Sequence, residues 1–125
     1  LDSIEYFLFP NAFFFPGLSL PMVYRFRPDP ESPDYCYFDL IFMRPRPSDR
    51  KAPDPPEVIT LDIDESYSIV EGVGPLGKIY DQDTANLAAQ TRGFKSSFKR
   101  GETLGNYQEI RVRHLQKRVL DFLNA

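Results

Sequence analysis

The order of apolar and polar residues divides the chain into two parts with different periodicities. From Ile4 to Arg46, the runs IEYFLF, AFFF, LPMVYRFR and YCYFDLIFMR are rich in β-branched and aromatic residues, and PN, PG and DPESPD separate them. Apolar and largely polar positions alternate along LPMVYRFR, which predicts a half-solvated strand. Its predicted apolar face contains Met22, Tyr24 and Phe26.

The run YCYFDLIFMR predicts a further strand, with Cys36, Phe38, Leu40 and Phe42 on one face. We expect Cys36 to be a small buried apolar side chain in the middle of this strand. The linkers have the length of hairpin loops and therefore favour an antiparallel meander. The Pro-rich segment RPRPSDRKAPDPPE predicts an exposed connection, whereas ITLDIDESYSIV fits either a strand or a short helix.

The last segment, NYQEIRVRHLQKRVLDFLNA, has the periodicity of an amphipathic helix. Asn106 and Glu109 have the spacing of a capping box, and His114 falls on the predicted solvated face. The pattern therefore predicts an α+β fold in which a curved antiparallel sheet packs on a long C-terminal helix. The predicted apolar stripe consists of Val112, Leu115, Val119, Phe122 and Leu123.

Length, composition and charge narrow the possible classes of protein. A chain of 125 residues with 42% hydrophobic residues fits one globular domain. The formal net charge of −3, without long runs of one sign, gives no indication of nucleic-acid binding. One cysteine excludes an internal disulfide, and there is no signal peptide or membrane-spanning run, so we expect a cytoplasmic protein that does not bind membranes.

The stretch YDQDTANLAAQTRGF contains the candidate chemistry, after the glycine-rich approach GVGPLGKI. On a helix, Asp83, Asn86 and Gln90 share one face, while Asp81 points elsewhere. If that face is buried, its polar groups need hydrogen bonds or a metal ion. The alternative is that Asp81 or Asp83 caps the start of the helix.

Two segments of the sequence resemble a known family. GPLGKIYDQDTANLAAQTRGFKSS and GETLGNYQEIRVRHLQKRVLDFL resemble the C-terminal part of the catalytic domain of Rieske non-haem iron ring-hydroxylating oxygenase α subunits. In that family, the Asp of a D-x-x-N motif opens a helix and is the carboxylate ligand of iron. The motif falls here on Asp83 and Asn86, followed by Gly93 and by Ser96 or Ser97. FLFPN resembles a strand end near the active site of the same domain and includes Asn11.

The resemblance implies a helix-grip fold and a specific set of cofactors and partners. Mononuclear Fe(II) would be held by two His and one carboxylate, and a Rieske [2Fe–2S] centre would feed it electrons from NAD(P)H through a reductase or ferredoxin. The activity would be O₂-dependent dihydroxylation, monooxygenation or demethylation of an aromatic or other hydrophobic substrate, as in aromatic hydrocarbon catabolism. A trimer-type homo-oligomer, in which electrons cross between subunits, is also implied.

The sequence departs from the family in its ligand residues. One His and one Cys provide neither the two histidine ligands of iron nor the ligands of the Rieske centre. The chain also begins at Leu1 and not with Met. We therefore expect residues 1–125 to be the C-terminal portion of a single catalytic domain, inactive alone, with the histidines and the Rieske domain supplied upstream.

Five residues are predicted to line the substrate pocket, and most have an ordinary alternative. Asn86 and Gln90 would orient the carboxylate or cap a strand, Asn11 also fits a plain turn, and Ile79 also fits a hydrophobic staple. Val73 is assigned to the pocket as an apolar residue. Two other functions compete with the oxygenase, namely a non-catalytic helix-grip module that binds a hydrophobic ligand, and a structural or assembly domain.

Overall fold

The computed structural model describes residues 4–17 and 21–125 and divides the chain into two compact units. The first unit contains Leu1–Ala52 and Leu104–Ala125, and the second contains Pro53–Thr103. The elements of the first unit are β1 (Tyr6–Leu8), β2 (Ala12–Phe15), β3 (Met22–Pro28), β4 (Cys36–Phe42) and α2 (Ile110–Leu123). Those of the second unit are a 3₁₀ helix (Tyr67–Ile69) and α1 (Leu76–Ser96).

The four strands of the first unit form the predicted antiparallel meander, in the order β1-β2-β3-β4. Opposite Tyr24 of β3 lie Phe13 of β2 and Leu40 of β4. Each predicted apolar run coincides with one of the strands, and β3 extends one residue beyond its run, to Pro28. The first residue of the predicted run LPMVYRFR, Leu20, lies outside the described residues. The α+β class predicted from the sequence is confirmed.

One face of the sheet consists mainly of aromatic rings. Phe26 and Phe38 stack across β3 and β4 with their ring centroids 4.7 Å apart, and Tyr24 meets Phe38 edge-on at 5.3 Å. The ring of Phe13 lies 6.1 Å from that of Phe26 and 4.9 Å from that of Phe7. Such cross-strand pairs stabilise a sheet beyond the area that they bury, so the register and the aromatic alternation reinforce each other.

An ionic cluster occupies the opposite face of β3 and β4. The Asp39 carboxylate accepts hydrogen bonds from the guanidinium groups of Arg25 at 2.7 Å and Arg27 at 2.8 Å, and Arg27 donates a second bond at 3.0 Å. The hydrogen bond from Arg27, more than any other contact, holds the pKa of Asp39 below its usual value. Arg25 and Arg27 are exposed, as expected for a polar face.

Cys36 corrects one prediction about β4. It is exposed and is the first residue of the strand, not a buried residue in its middle. The reason is the register: Cys36 pairs with Pro28 at the last position of the β3–β4 ladder, where few neighbours remain to cover a side chain.

Helix α2 lies within the predicted C-terminal segment but begins differently. The predicted capping box at Asn106 is wrong, because the helix starts at Ile110 with Glu109 at the N-cap position. Glu109 reaches back to accept a hydrogen bond from the backbone N–H of Gly105. Asn106 instead accepts hydrogen bonds from the Arg113 guanidinium, at 2.7 Å through its backbone oxygen.

The helix and the sheet make contact at the turn between β1 and β2. The rings of Phe9 and Phe122 lie 6.0 Å apart, and Pro10 lines an open groove with Leu115 and Val119. Of the predicted apolar stripe, Leu115 is half-buried, whereas Val112, Val119, Phe122 and Leu123 are exposed, so most of the stripe is not covered by the sheet. His114 is exposed, as predicted. Within the described residues, neither helix is long and apolar enough to cross a membrane.

The Pro-rich connection crosses the boundary between the two units in the sequence, and the second unit contains the long helix α1. The segment RPRPSDRKAPDPPE is exposed and without regular structure, as predicted. The ambiguous segment ITLDIDESYSIV is irregular except for the 3₁₀ helix Tyr67–Ile69. The buried apolar side chains of this unit are Val73 and Tyr80, which are 6% and 3% exposed.

The ionic cluster predicts how the stability of the first unit depends on pH. Because folding lowers the pKa of Asp39, its stabilising contribution is complete above the ordinary carboxyl pKa of about 3.9 and is lost as pH falls further. We expect Asp39→Asn to lower the free energy of unfolding at pH 7, and the difference from wild type to shrink below about pH 4. Urea unfolding of the chain at several pH values measures this difference.

Asp49→Asn is the matched control, since Asp49 is an exposed acid of the same unit. Its effect should be small at every pH. A difference between Asp39→Asn and wild type that stays constant down to pH 3 would contradict this account of the cluster.

Candidate functional site

Helix α1 begins seven residues before Asp83, earlier than the sequence predicted. Gly72 and Gly74 have positive φ angles of 93° and 57°, a conformation that glycine adopts without strain, and they turn the chain before the helix. Pro75 then stands at the N-cap position with φ −62°, a value compatible with helix entry. The predicted helix start at the D-x-x-N motif is therefore wrong, because the glycine turn places it at Leu76.

The carboxylate of Asp81 is engaged by the serine turn, which we define as residues 66–68. One oxygen accepts hydrogen bonds from the hydroxyls of Ser66 at 2.6 Å and Ser68 at 3.2 Å. The other oxygen accepts from the backbone N–H of Tyr67 at 2.8 Å. The bond from Ser66, followed by that from Tyr67, lowers the pKa of Asp81. Asp81 therefore attaches α1 to the serine turn. The alternative that Asp81 caps the start of α1 is wrong.

Gly77 allows the serine turn to approach α1 closely. A Cβ atom at Gly77 would lie 2.8 Å from the Cα of Ser68 and 2.9 Å from its hydroxyl oxygen. The rings of Tyr67 and Tyr80 are 5.6 Å apart and tilted by 55°. Gly77, Tyr80 and Asp81 are spaced three and four residues apart and share one face, so a single side of the helix holds the turn.

Asp83 lies on the other side of α1. At about 100° per residue, two positions along a helix point about 160° apart, so Asp83 faces away from the side that Asp81 uses. Asp83 is exposed, and among residues 4–17 and 21–125 no hydrogen bond or ion pair engages its carboxylate. Its oxygens are therefore available to a metal ion. The alternative that Asp83 caps the helix start is wrong, since Asp83 lies in the interior of α1.

The predicted neighbours of Asp83 share its face but are not bonded to it. Ile79, Asn86 and Gln90 lie four residues before and three and seven residues after Asp83, which is the spacing of one helix side. The Asn86 amide donates to the backbone oxygen of Gln82 at 3.3 Å. Gln90 is exposed. The structure thus brings these residues together on α1, and their predicted role in orienting the carboxylate stays a prediction.

The remaining pocket residues have clear structural surroundings. Ile79 is 49% exposed inside α1, so its alternative role as a staple before the helix is wrong. Val73 is buried in the core of the second unit. Asn11 lies in the first unit. Its side-chain amide donates a hydrogen bond to the backbone oxygen of Phe26 at 2.6 Å, and its backbone oxygen accepts one from the backbone N–H of Phe26 at 2.9 Å. The assignment of these residues to a pocket remains a prediction.

Within the described residues, the structure shows no complete ligand set for a mononuclear iron ion. In the part of the chain that the structure describes, no group of three or more His, Cys, Asp or Glu could hold a metal ion. His114 belongs to α2 and Cys36 to β4, both in the first unit. Asp83 is of the residue type that serves as the single carboxylate ligand of such an iron ion. One Cys and one His are too few for the two Cys and two His that hold a Rieske centre.

Sequence reasoning missed the attachment of the serine turn to Asp81. Its partners are 13 to 15 residues apart in the sequence, beyond the range of helix periodicity. The sequence signal that could have indicated this contact is Ser66 and Ser68, followed by a glycine-rich turn and then by Asp81. That pattern is too common to identify this contact from one sequence.

Comparison with known proteins gives one match. A family model described as "Ring hydroxylating alpha subunit (catalytic domain)" matches residues 1–125. No curated protein and no solved structure matches the chain. The match covers both units and includes the segment that carries Asp83.

The close approach at Gly77 predicts an asymmetry between two glycines of α1. Gly77→Ala should destabilise the chain by about 1–3 kcal/mol, because its Cβ would overlap the backbone of Ser68. Gly93→Ala is the matched control, since nothing lies within 4 Å of its added Cβ. It should be neutral or stabilise the helix by up to about 1 kcal/mol. Chemical denaturation followed by circular dichroism measures both, and equal effects would contradict the described packing.

Proposed function

Because the chain belongs to the family of ring-hydroxylating α subunits, in their catalytic domain, we propose that it forms part of a mononuclear iron site and that Asp83 is the carboxylate ligand. The observation that carries this proposal is the position of Asp83. Its carboxylate is exposed and lacks a partner among the described residues, whereas the carboxylate of Asp81 is fully engaged nearby. Of these two acids, Asp83 is the one able to accept a metal ion.

The rest of the iron site comes from outside these residues in this proposal. Two histidines complete the facial set of two imidazoles and one carboxylate, which leaves positions open for further ligands. Iron bound there supplies the activation of dioxygen. The contribution of this chain is to hold one carboxylate on a rigid helix, at a fixed angle to the partner ligands.

The substrate in this proposal is an aromatic or other hydrophobic molecule. Ile79 supports this substrate class, because it places an exposed apolar side chain one helical turn before Asp83, on the same face. Electrons come from a Rieske centre outside residues 1–125 and from a reductase or ferredoxin. The product is a dihydroxylated, monohydroxylated or demethylated compound.

Replacement of Asp83 by Ala tests the proposal in the oxygenase subunit that contains these residues, the two histidines and the Rieske centre. We expect iron to fall from about three to about two atoms per subunit, because the mononuclear site is lost and the [2Fe–2S] centre stays. Acid-labile sulfide should not change. Substrate-dependent O₂ consumption should be abolished.

Asp64→Ala is the matched control, since Asp64 is an exposed acid of the same unit. It should keep full iron content and O₂ consumption. If Asp83→Ala also keeps the third iron atom, Asp83 is not a ligand. A subunit that never holds more than cluster iron, yet binds hydrophobic ligands, would instead be a non-catalytic binding module.

A further inference from the structure

The serine turn is attached to α1 by three different interactions on one side of the helix. Asp81 accepts hydrogen bonds from all three of its residues, Gly77 permits close backbone approach, and Tyr80 meets the ring of Tyr67. The attachment spans Gly77 to Asp81, slightly more than one helical turn. A contact of this length restrains both sliding of the helix along its axis and rotation about it.

Asp83 follows this attachment by only two residues. No turn, kink or loop separates the attached positions from Asp83, since α1 is continuous from Leu76 to Ser96. The orientation of the attached turn therefore sets the direction in which the Asp83 carboxylate points.

We propose that Asp81 is a positioning residue that holds the serine turn against α1 and thereby orients the Asp83 carboxylate toward its metal ion. This inference rests on the proposed function of Asp83 as an iron ligand. Asp81 itself faces the opposite side of the helix and does not touch the metal.

The geometry makes metal binding sensitive to this attachment. A carboxylate about 5 Å from the helix axis moves by nearly 2 Å when the helix rotates by about 20°. Ligand constellations tolerate deviations of only about 0.5 Å or 10–20°. Loss of the attachment therefore weakens the metal site while Asp83 itself remains in place.

Binding of Co²⁺ to the metal-free mononuclear site of the intact oxygenase subunit tests this proposal. We expect Asp81→Asn to weaken Co²⁺ binding about tenfold or more, in the range found for residues that orient ligands. The visible absorption spectrum of bound Co²⁺ should also change, because the ligand geometry changes. A merely structural role would lower the melting temperature and leave the spectrum of the bound ion as in wild type.

Two further variants separate geometry from charge. The double variant Ser66→Ala/Ser68→Ala removes two donors but keeps the Asp81 carboxylate, so it should weaken Co²⁺ binding in the same direction. Adding Asp81→Asn to it should cause no loss beyond that of Asp81→Asn alone, since all three residues act through one contact. Asp64→Asn, which changes net charge equally, should alter the affinity by less than about twofold.

The outcomes distinguish this inference from the proposed function. If Asp83→Asn abolishes Co²⁺ binding while Asp81→Asn and the double serine variant bind Co²⁺ with wild-type affinity and spectrum, Asp81 does not position the ligand. If Asp83→Asn leaves Co²⁺ binding unchanged, the proposed function itself is wrong. Should Asp81→Asn give no folded protein, Ser68→Ala, which removes one hydrogen bond, supplies the same comparison.

Discussion

The three hydrogen bonds that Asp81 accepts from the serine turn determine how the first part of α1 is held. They come from two hydroxyls and one backbone N–H, so they leave little freedom in the direction of the carboxylate. The glycine at position 77 is a necessary partner of this contact, because any larger residue would separate the helix from the turn. In our proposal, the orientation of the candidate ligand follows from this one attachment.

The helix repeat then explains why two acids two residues apart have different roles. At about 100° per residue, Asp81 and Asp83 cannot serve the same side of α1. One acid satisfies donors of the chain itself, and the other remains exposed without a partner among the described residues. This division gives the polar face of α1 a physical reason. Residues that look misplaced for a core helix are exposed instead, and we propose that they form the surface on which a metal ligand is presented.

The sequence predicted those features that depend on local periodicity. The alternation of residues in β3 and β4 predicted these two strands and the exposed Arg25 and Arg27, and the hairpin-sized linkers predicted the meander. Helix α2 and the exposed His114 followed from the 3.6-residue repeat. The shared face of Asp83, Asn86 and Gln90 followed from the same rule.

The sequence patterns did not predict features that depend on long-range contacts or on the exact ends of strands and helices. The exposure of Cys36 depends on where the β3–β4 ladder ends, and the start of α1 depends on two glycines with positive φ angles. The Asp81 contact joins residues far apart in the chain, and so does the pairing of Arg27 with Asp39. Such contacts require the fold before they can be recognised.

The most direct test of the account is an anomalous-scattering map, recorded at the iron absorption edge, from crystals of the intact oxygenase subunit. We expect an iron peak at bonding distance from the Asp83 carboxylate, with Asp81 still hydrogen-bonded to the serine turn. An iron peak bonded to Asp81, or a mononuclear iron with no contact to Asp83, would contradict it.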